Sequence, residues 1–180
     1  MKKISKEKII KEIFQKRKSE KKFENVIKNF KDFNPQDNNF LVQDYFGANY
    51  GKVKARKKLF ADNLIIEDKD FKGLYVFLHN NKPFYVGISK AVIERIRQHV
   101  KGSSLASSTL AYKIGKNIKK SKVTRKEFFQ SNKKNIDFIK KFLLEQRVAF
   151  IKIDDDDELA LYEIYCAMKY KTSLNTFETH

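Results

Sequence analysis

The apolar residues Ile9, Ile10, Ile13, Phe14, Phe23, Val26, Ile27 and Phe30 recur at helical spacing with lysines on the remaining faces, which predicts a helical arm over 4–33. The turn formers Asn34-Pro35-Gln36-Asp37-Asn38-Asn39 follow, and Pro35 disfavours helix at Asn34, so a loop ends the arm. From Tyr45 to Asp70 the periodicity is weak, around Gly47, Gly51 and the basic run Lys52, Lys54, Arg56, Lys57 and Lys58, and supports only short helices. The pattern then changes. Gly73 to His79 is dense in strand formers, Asn80-Asn81-Lys82-Pro83 supplies turn chemistry, and Phe84 to Ile88 reads as a second strand, giving a β-hairpin. Ser89 stands where it would cap a helix running to about Val100, whose stripe is Val92, Ile93, Ile96 and Val100. Val148 to Ile153 reads as a third strand, and Asp154 to Asp157 open a last helix that runs to about Tyr170. No internal repeat is present.

Composition narrows the classes. A chain of 180 residues suits one domain, or one domain with an added segment, and 41% hydrophobic residues are enough for a core, which excludes wholesale disorder. Thirty-nine basic residues against 22 acidic ones leave a net charge of +17, a field that attracts nucleic acid first and an anionic membrane surface second. About half of that excess comes from residues 103–147, which read as a basic helical insertion carrying Phe128, Phe129, Phe138, Phe142 and Leu143. Cys166 is the single cysteine, so no internal disulfide forms, and no Cys/His cluster has zinc spacing. The start of the chain lacks an apolar signal core and nothing approaches the ~18 apolar residues of a membrane span, so the expectation is a soluble cytoplasmic, nucleoid-associated protein.

Several side chains carry chemistry. Tyr75 and Tyr85 lie on the two hairpin strands, and register decides whether both phenols share a face. Arg95 and His99 are four apart on the next helix and project the same way, with Arg97 on the opposite flank. Arginine is scarce, six residues among 39 basic ones, and its planar fork is the better phosphate ligand. In the last helix Glu163 emerges between Leu159, Ala160, Cys166, Ala167 and Tyr170, where an unpartnered carboxylate would cost several kcal/mol. It needs a cation, and either a divalent metal or a structural Arg or Lys would serve. The acidic run Asp154 to Glu158 fits helix capping, His79 a strand residue, and Cys166 a small core residue.

Gly73-Leu74-Tyr75, Tyr85-Val86-Gly87, Arg95 ten residues beyond Tyr85, and Glu163 followed twelve residues later by Asn175 resemble the GIY-YIG nuclease superfamily in order and spacing. Leu74 and Val86 replace the two isoleucines, volume-conserving changes in strands. His99 is similar to a histidine of the restriction-endonuclease branch. The resemblance covers Phe71 to about Gly102 and Arg147 to His180, and leaves out the arm and the insertion.

The resemblance implies an α/β (α+β) fold, a small three-stranded antiparallel sheet flanked by helices. An N-terminal helical extension over 1–70 would precede a nuclease domain over 71–180, with the basic insertion at 103–147. It implies hydrolysis of DNA phosphodiesters with one Mg²⁺ or Mn²⁺ per site, leaving 5′-phosphate and 3′-hydroxyl ends. Glu163 would hold the metal, Arg95 would stabilise transition-state charge, and Tyr75 would be the general base, which requires nearby cations to lower a phenol pKa near 10. His99, poised for proton transfer without adjustment, competes for that role. Tyr85 would position the nucleophile or a phosphate oxygen, and Asn175 would orient substrate or the metal's water shell. Gly87 would serve either close approach of DNA to the backbone or a turn. Lys116, Lys119, Lys120, Lys122 and Arg97 would contact DNA phosphates, and a homodimer would allow both strands to be cut. The rival readings are a catalytically silent nucleic-acid-binding module on the same fold, and a membrane-surface protein using the lysine-rich arm.

Overall fold

The computed structural model describes residues 33–48, 50–172, 174 and 175, so the helical arm expected over 4–33 lies outside the described residues except for Phe33. Along the chain follow β1 (Asn39–Leu41), α1 (Val42–Phe46), α2 (Lys52–Ala61), β2 (Gly73–His79), β3 (Lys82–Ser89), α3 (Val92–Lys101), α4 (Thr109–Lys119), α5 (Arg125–Ser131), α6 (Lys133–Leu144), β4 (Arg147–Lys152) and α7 (Asp156–Lys169). None of the described helices is long and apolar enough to cross a membrane.

The hairpin forms as its composition predicts. Asn80 and Asn81 both adopt positive φ, 47° and 61°, between the paired residues His79 and Lys82. Two left-handed residues match the strand twist, and asparagine tolerates that region better than any residue but glycine. Pro83 lies on β3, an edge strand, where its missing N–H removes no ladder bond to a further neighbour.

The sheet has four strands in the order β1-β4-β2-β3, each pair antiparallel, and not the expected three. The added strand is β1, within and just after the stretch read as loop. Three residues are too few to show alternation, and β1 becomes a strand because the edge of β4 offers unpaired backbone groups. Asn39 pairs with Ala149 and Leu41 with Arg147, Val42 N–H donates to Gln146 O at 2.9 Å, and the Arg147 guanidinium clasps the Asn39 side chain.

Alternation along the strands divides the core into two layers. Tyr75, Phe77, Tyr85, Val148 and Phe40 face α1 to α6, whereas Leu74, Val76, Leu78, Val86 and Ala149 face α7 through Leu159, Tyr162, Cys166 and Ala167. The basic segment 103–147 belongs to the first layer: Leu110, Ala111, Phe128, Ile136, Ile139 and Leu143 join the same apolar cluster as α3. It is a wall of the core whose outer surface carries lysines. β2 and β4 approach so closely at Gly73 that a Cβ there would sit 2.1 Å from Ile151 O, which accounts for the first glycine of the hairpin without any unusual φ.

One capping expectation is corrected. Ser89 makes only a local turn with Ala91, at 3.0 and 3.1 Å, and α3 is capped by Asp70, whose carboxylate accepts from Ile93 N–H at 2.9 Å and Glu94 N–H at 3.0 Å. Burial brings Asp70 to the helix start from the loop before β2, and its charge meets the positive end of the helix dipole. α7 is capped by Asp155, which accepts from Glu158 N–H at 2.9 Å, in keeping with the reading of the acidic run.

Candidate active site

Register decides the fate of the two tyrosines. Tyr75 stands opposite Gly87 and Phe77 opposite Tyr85, so the phenols lie diagonally on one face with ring centroids 6.2 Å apart. Gly87 is required by this packing. A Cβ there would fall 2.4 Å from Tyr75 Oη and 2.5 Å from Cζ, so the phenol lies across the space that any other residue would fill. The φ of Gly87 is ordinary, and neither a turn nor an approach of DNA is needed to explain it. Gly87→Ala is expected to cost about 1–3 kcal/mol of stability through overpacking. It should also slow any reaction that depends on Tyr75 by about 10²-fold, since a shift of order 1 Å suffices. A thermal melt beside a rate measurement checks this, and an unchanged rate would remove Tyr75 from the chemistry.

Tyr75 is 1% exposed and His99 fully buried, and Tyr75 Oη lies 2.6 Å from His99 Nε2. His99 comes from the last turn of α3 and wedges against the Tyr75 and Tyr85 rings, at 5.6 and 5.9 Å. Its Nδ1 is buried without a hydrogen-bond partner. Burial, reinforced by the charges of Arg95 and Lys113, pushes the imidazole down to about 3, so it is neutral at physiological pH and is not the ready-made base expected of an exposed histidine. Burial likewise raises Tyr75 well above 10 and outweighs Arg95, which pulls the other way. The shift is opposite to the lowering that a free phenolate base would require. Tyr75 and His99 form a neutral, hydrogen-bonded pair.

Arg95 sits on the same face of α3 as His99. Its guanidinium donates to Gln98 Oε1 at 3.2 Å, Ala106 O at 3.4 Å and Thr109 Oγ1 at 3.2 Å, all neutral acceptors. Among the described residues no carboxylate lies within ion-pairing distance, so Arg95 is aimed by the protein yet keeps its full charge. Arg97 contrasts with it: both of its donors go to Glu94, at 2.8 and 2.7 Å, and its charge is cancelled locally. Lys119 at the end of α4 and Lys120 and Lys122 just beyond it are exposed, and Lys116 lies over the Tyr112 ring at 5.9 Å.

Glu163 belongs to α7, which packs on the other side of the sheet and against β3, the edge strand. Its charge acts on Tyr85, raising a phenol that burial already raises. Burial pushes the Glu163 carboxyl upward, and Lys113 counteracts only part of this. No cation among the described residues is within ion-pairing distance of Glu163. Nor do the described residues gather three metal-ligating side chains. One half-buried carboxylate that has no ion-pair partner among the described residues suits an oxygen-seeking ion that keeps several waters and takes its remaining ligands from phosphate, the habit of Mg²⁺ and Mn²⁺. Among the described residues the alternative, a structural salt bridge to Glu163, is not formed.

Asn175 is spent on the backbone. Oδ1 accepts from Val86 N–H at 2.9 Å and from Thr172 Oγ1 at 3.1 Å, and Nδ2 donates to Val86 O at 2.8 Å. The amide thereby occupies the outward backbone groups of the edge strand next to Tyr85, and acts by fixing β3.

Sequence reasoning missed Lys113. From α4 it lies 5.9 Å from the Tyr85 ring, donates to Leu174 O at 3.4 Å, and its charge acts on both His99 and Glu163. Nothing in a helix of alternating lysines marks this one, because its position depends on how α4 docks beside α3. Tyr75, Tyr85, His99 and Arg95 are thus brought together on one face of the sheet with Lys113 beside them, Glu163 acts on Tyr85 and Lys113 through its charge, and Arg97 does not join them.

Comparison with known proteins agrees with this arrangement. Neither curated proteins nor solved structures yield a match to the chain. Residues 71–180, more than half of the chain, match the family of the GIY-YIG catalytic domain, a family of nucleases that act on nucleic acid and generally use divalent metal ions. The chain belongs to the GIY-YIG family.

Proposed function

We propose that this protein is a metal-dependent DNA endonuclease that hydrolyses phosphodiester bonds by in-line attack of water and leaves 5′-phosphate and 3′-hydroxyl ends. The observation that carries the reading is an uncancelled guanidinium and a neutral Tyr75–His99 pair on one face of the sheet, with a carboxylate that has no ion-pair partner among the described residues acting on Tyr85 through its charge. Glu163 would hold a divalent ion, which would supply charge neutralisation at the scissile phosphate. Arg95, held in place by neutral oxygens, donates to the non-bridging oxygens, whose charge rises in the transition state.

The proton from the attacking water goes to the Tyr75 oxygen. A phenol with so high a pKa accepts it only if its own proton leaves, and His99 Nε2 at 2.6 Å is the acceptor in line. Burial is the main cause of the low proton affinity of His99, and phosphate entering the site raises that affinity by cancelling the lesser contribution of the Arg95 and Lys113 charges. Tyr85 borders the same cleft and packs against Tyr75, and Asn175 keeps the strand that carries it in register. Lys116, Lys119, Lys120 and Lys122 extend the positive surface along the DNA backbone, and these contacts position the duplex without reading sequence.

The test is to incubate purified protein with labelled duplex, branched and single-stranded DNA in Mg²⁺ or Mn²⁺ and to map the ends. Metal-dependent cutting with 5′-phosphate ends is expected, and linkage of double-strand breaks to a dimer would appear as a second-order dependence on protein concentration. Binding without cutting in either metal would favour the catalytically silent module, and cutting that survives chelation would reject the role of Glu163.

A further inference from the structure

Two of the arginines share an acceptor. Arg95 Nη2 donates to Thr109 Oγ1 at 3.2 Å and Arg125 Nη2 to the same oxygen at 2.8 Å, which holds the two Nη2 atoms within about 6 Å of one another. The hydroxyl hydrogen is spent on Ala106 O at 2.8 Å, so Thr109 is saturated. Arg125 Nη2 also donates to Leu105 O, while Nη1 makes no protein hydrogen bond and Nε is buried without a partner. Among the described residues neither guanidinium has a carboxylate within ion-pairing distance, although Arg56 and Arg97 do. Like charges at this spacing repel, and the fold offers only neutral oxygens in compensation. An arrangement of this kind is stabilised by an anion arriving from outside.

The neighbours show where such an anion would lie. Arg95 is the guanidinium that acts on both phenols, at the reacting centre, whereas Arg125 stands on the far side of Thr109 over the Tyr112 ring, at 5.4 Å. Lys116 lies over the same ring at 5.9 Å, so Arg125 has a cationic neighbour at Tyr112 as well as Arg95 at Thr109. We propose that Arg125 is a phosphate-binding residue of the site, gripping the phosphodiester that flanks the scissile one, with Thr109 as the hydroxyl that ties it to Arg95. The basic segment would then contribute a defined subsite as well as a diffuse field. This deepens the nuclease reading and rests on it.

The test compares Arg125→Ala and Arg125→Lys with the unaltered protein, using a labelled duplex in EDTA over a series of KCl concentrations, followed by cleavage kinetics in Mg²⁺. For Arg125→Ala the expected result is roughly tenfold weaker binding and a loss of about 0.9 from the slope of log K against log salt, the signature of one phosphate contact. KM should rise by about the same factor with kcat within about threefold, because the contact is equal in ground and transition states. Arg125→Lys keeps the charge and should retain the salt slope while losing affinity with the fork.

An unchanged slope in Arg125→Ala, even with a lowered melting temperature, would show that Arg125 only braces the 105–109 turn and would overturn the proposal. So would a fall in kcat at unchanged KM, which would place Arg125 at the reacting phosphate. If the unaltered protein itself neither binds nor cuts DNA, the nuclease reading fails first, and that outcome is distinct because it needs no variant.

Discussion

Glu163→Gln is expected to lower the cleavage rate by at least about 10³-fold, several kcal/mol of lost metal-ion catalysis, while DNA binding without metal stays close to that of the unaltered protein. The substitution keeps shape and removes charge. Among the described residues Glu163 is the carboxylate whose charge acts on Tyr85 and is acted on by Lys113, and no cation there lies within ion-pairing distance of it. Its raised pKa also gives the variant a signature separate from activity. Since burial disfavours the charged form, the ionised carboxylate destabilises the fold at neutral pH. That destabilisation sets in as pH rises from the ordinary glutamate value through the higher folded one, and it is absent in acid. Glu163→Gln should therefore melt at the same temperature as the unaltered protein or higher at pH 7. Mg²⁺ should raise the melting temperature of the unaltered protein and not that of the variant. A variant that cuts at an undiminished rate would remove the carboxylate from the mechanism.

Tyr75→Phe is expected to slow cleavage by about 10² to 10⁴-fold, the usual contribution of proton transfer. The phenol oxygen is the only described route from the cleft to His99, since the imidazole is fully buried and its one hydrogen bond goes to that oxygen. His99→Phe should lose a large part of the same factor, and the double variant should be little worse than either alone, because the two groups act as one path. Equal and additive losses would break the relay. The pH dependence of stability gives an independent reading. The unfolded chain binds a proton at His99 below about 6.5, whereas the folded protein resists until about 3, so stability falls as pH drops through that window. His99→Phe should flatten this part of the acid profile, and a profile that keeps its slope would mean that another buried group is responsible.

The parts of this molecule that were legible in its sequence are those set by local chemistry. Strand formers around an Asn-Asn turn yield the hairpin, acids open α7, and a lone glutamate in an apolar helix declares a charge in need of a partner. What was not legible depends on which segments meet. β1 has too few residues to show a period and exists because β4 has a free edge; α3 is capped by Asp70, which the chain delivers from the far side of the hairpin. His99 looked like an ordinary titrating histidine until Phe77 and Tyr85 closed over it. Lys113 and Arg125 are two of 39 basic residues, and only the docking of α4 and α5 beside α3 distinguishes them. Gly87, by contrast, was noticed for the right position and explained by the wrong neighbour: its missing side chain makes room for Tyr75.

The candidate metal ligand and the proton path are carried by opposite layers of the sheet. A chain on which only one layer has assembled holds either the carboxylate or the phenol–imidazole couple, never both. On the proposed reading, hydrolytic competence would require both layers to be assembled, so a partly unravelled copy would be expected to bind nucleic acid without cutting it.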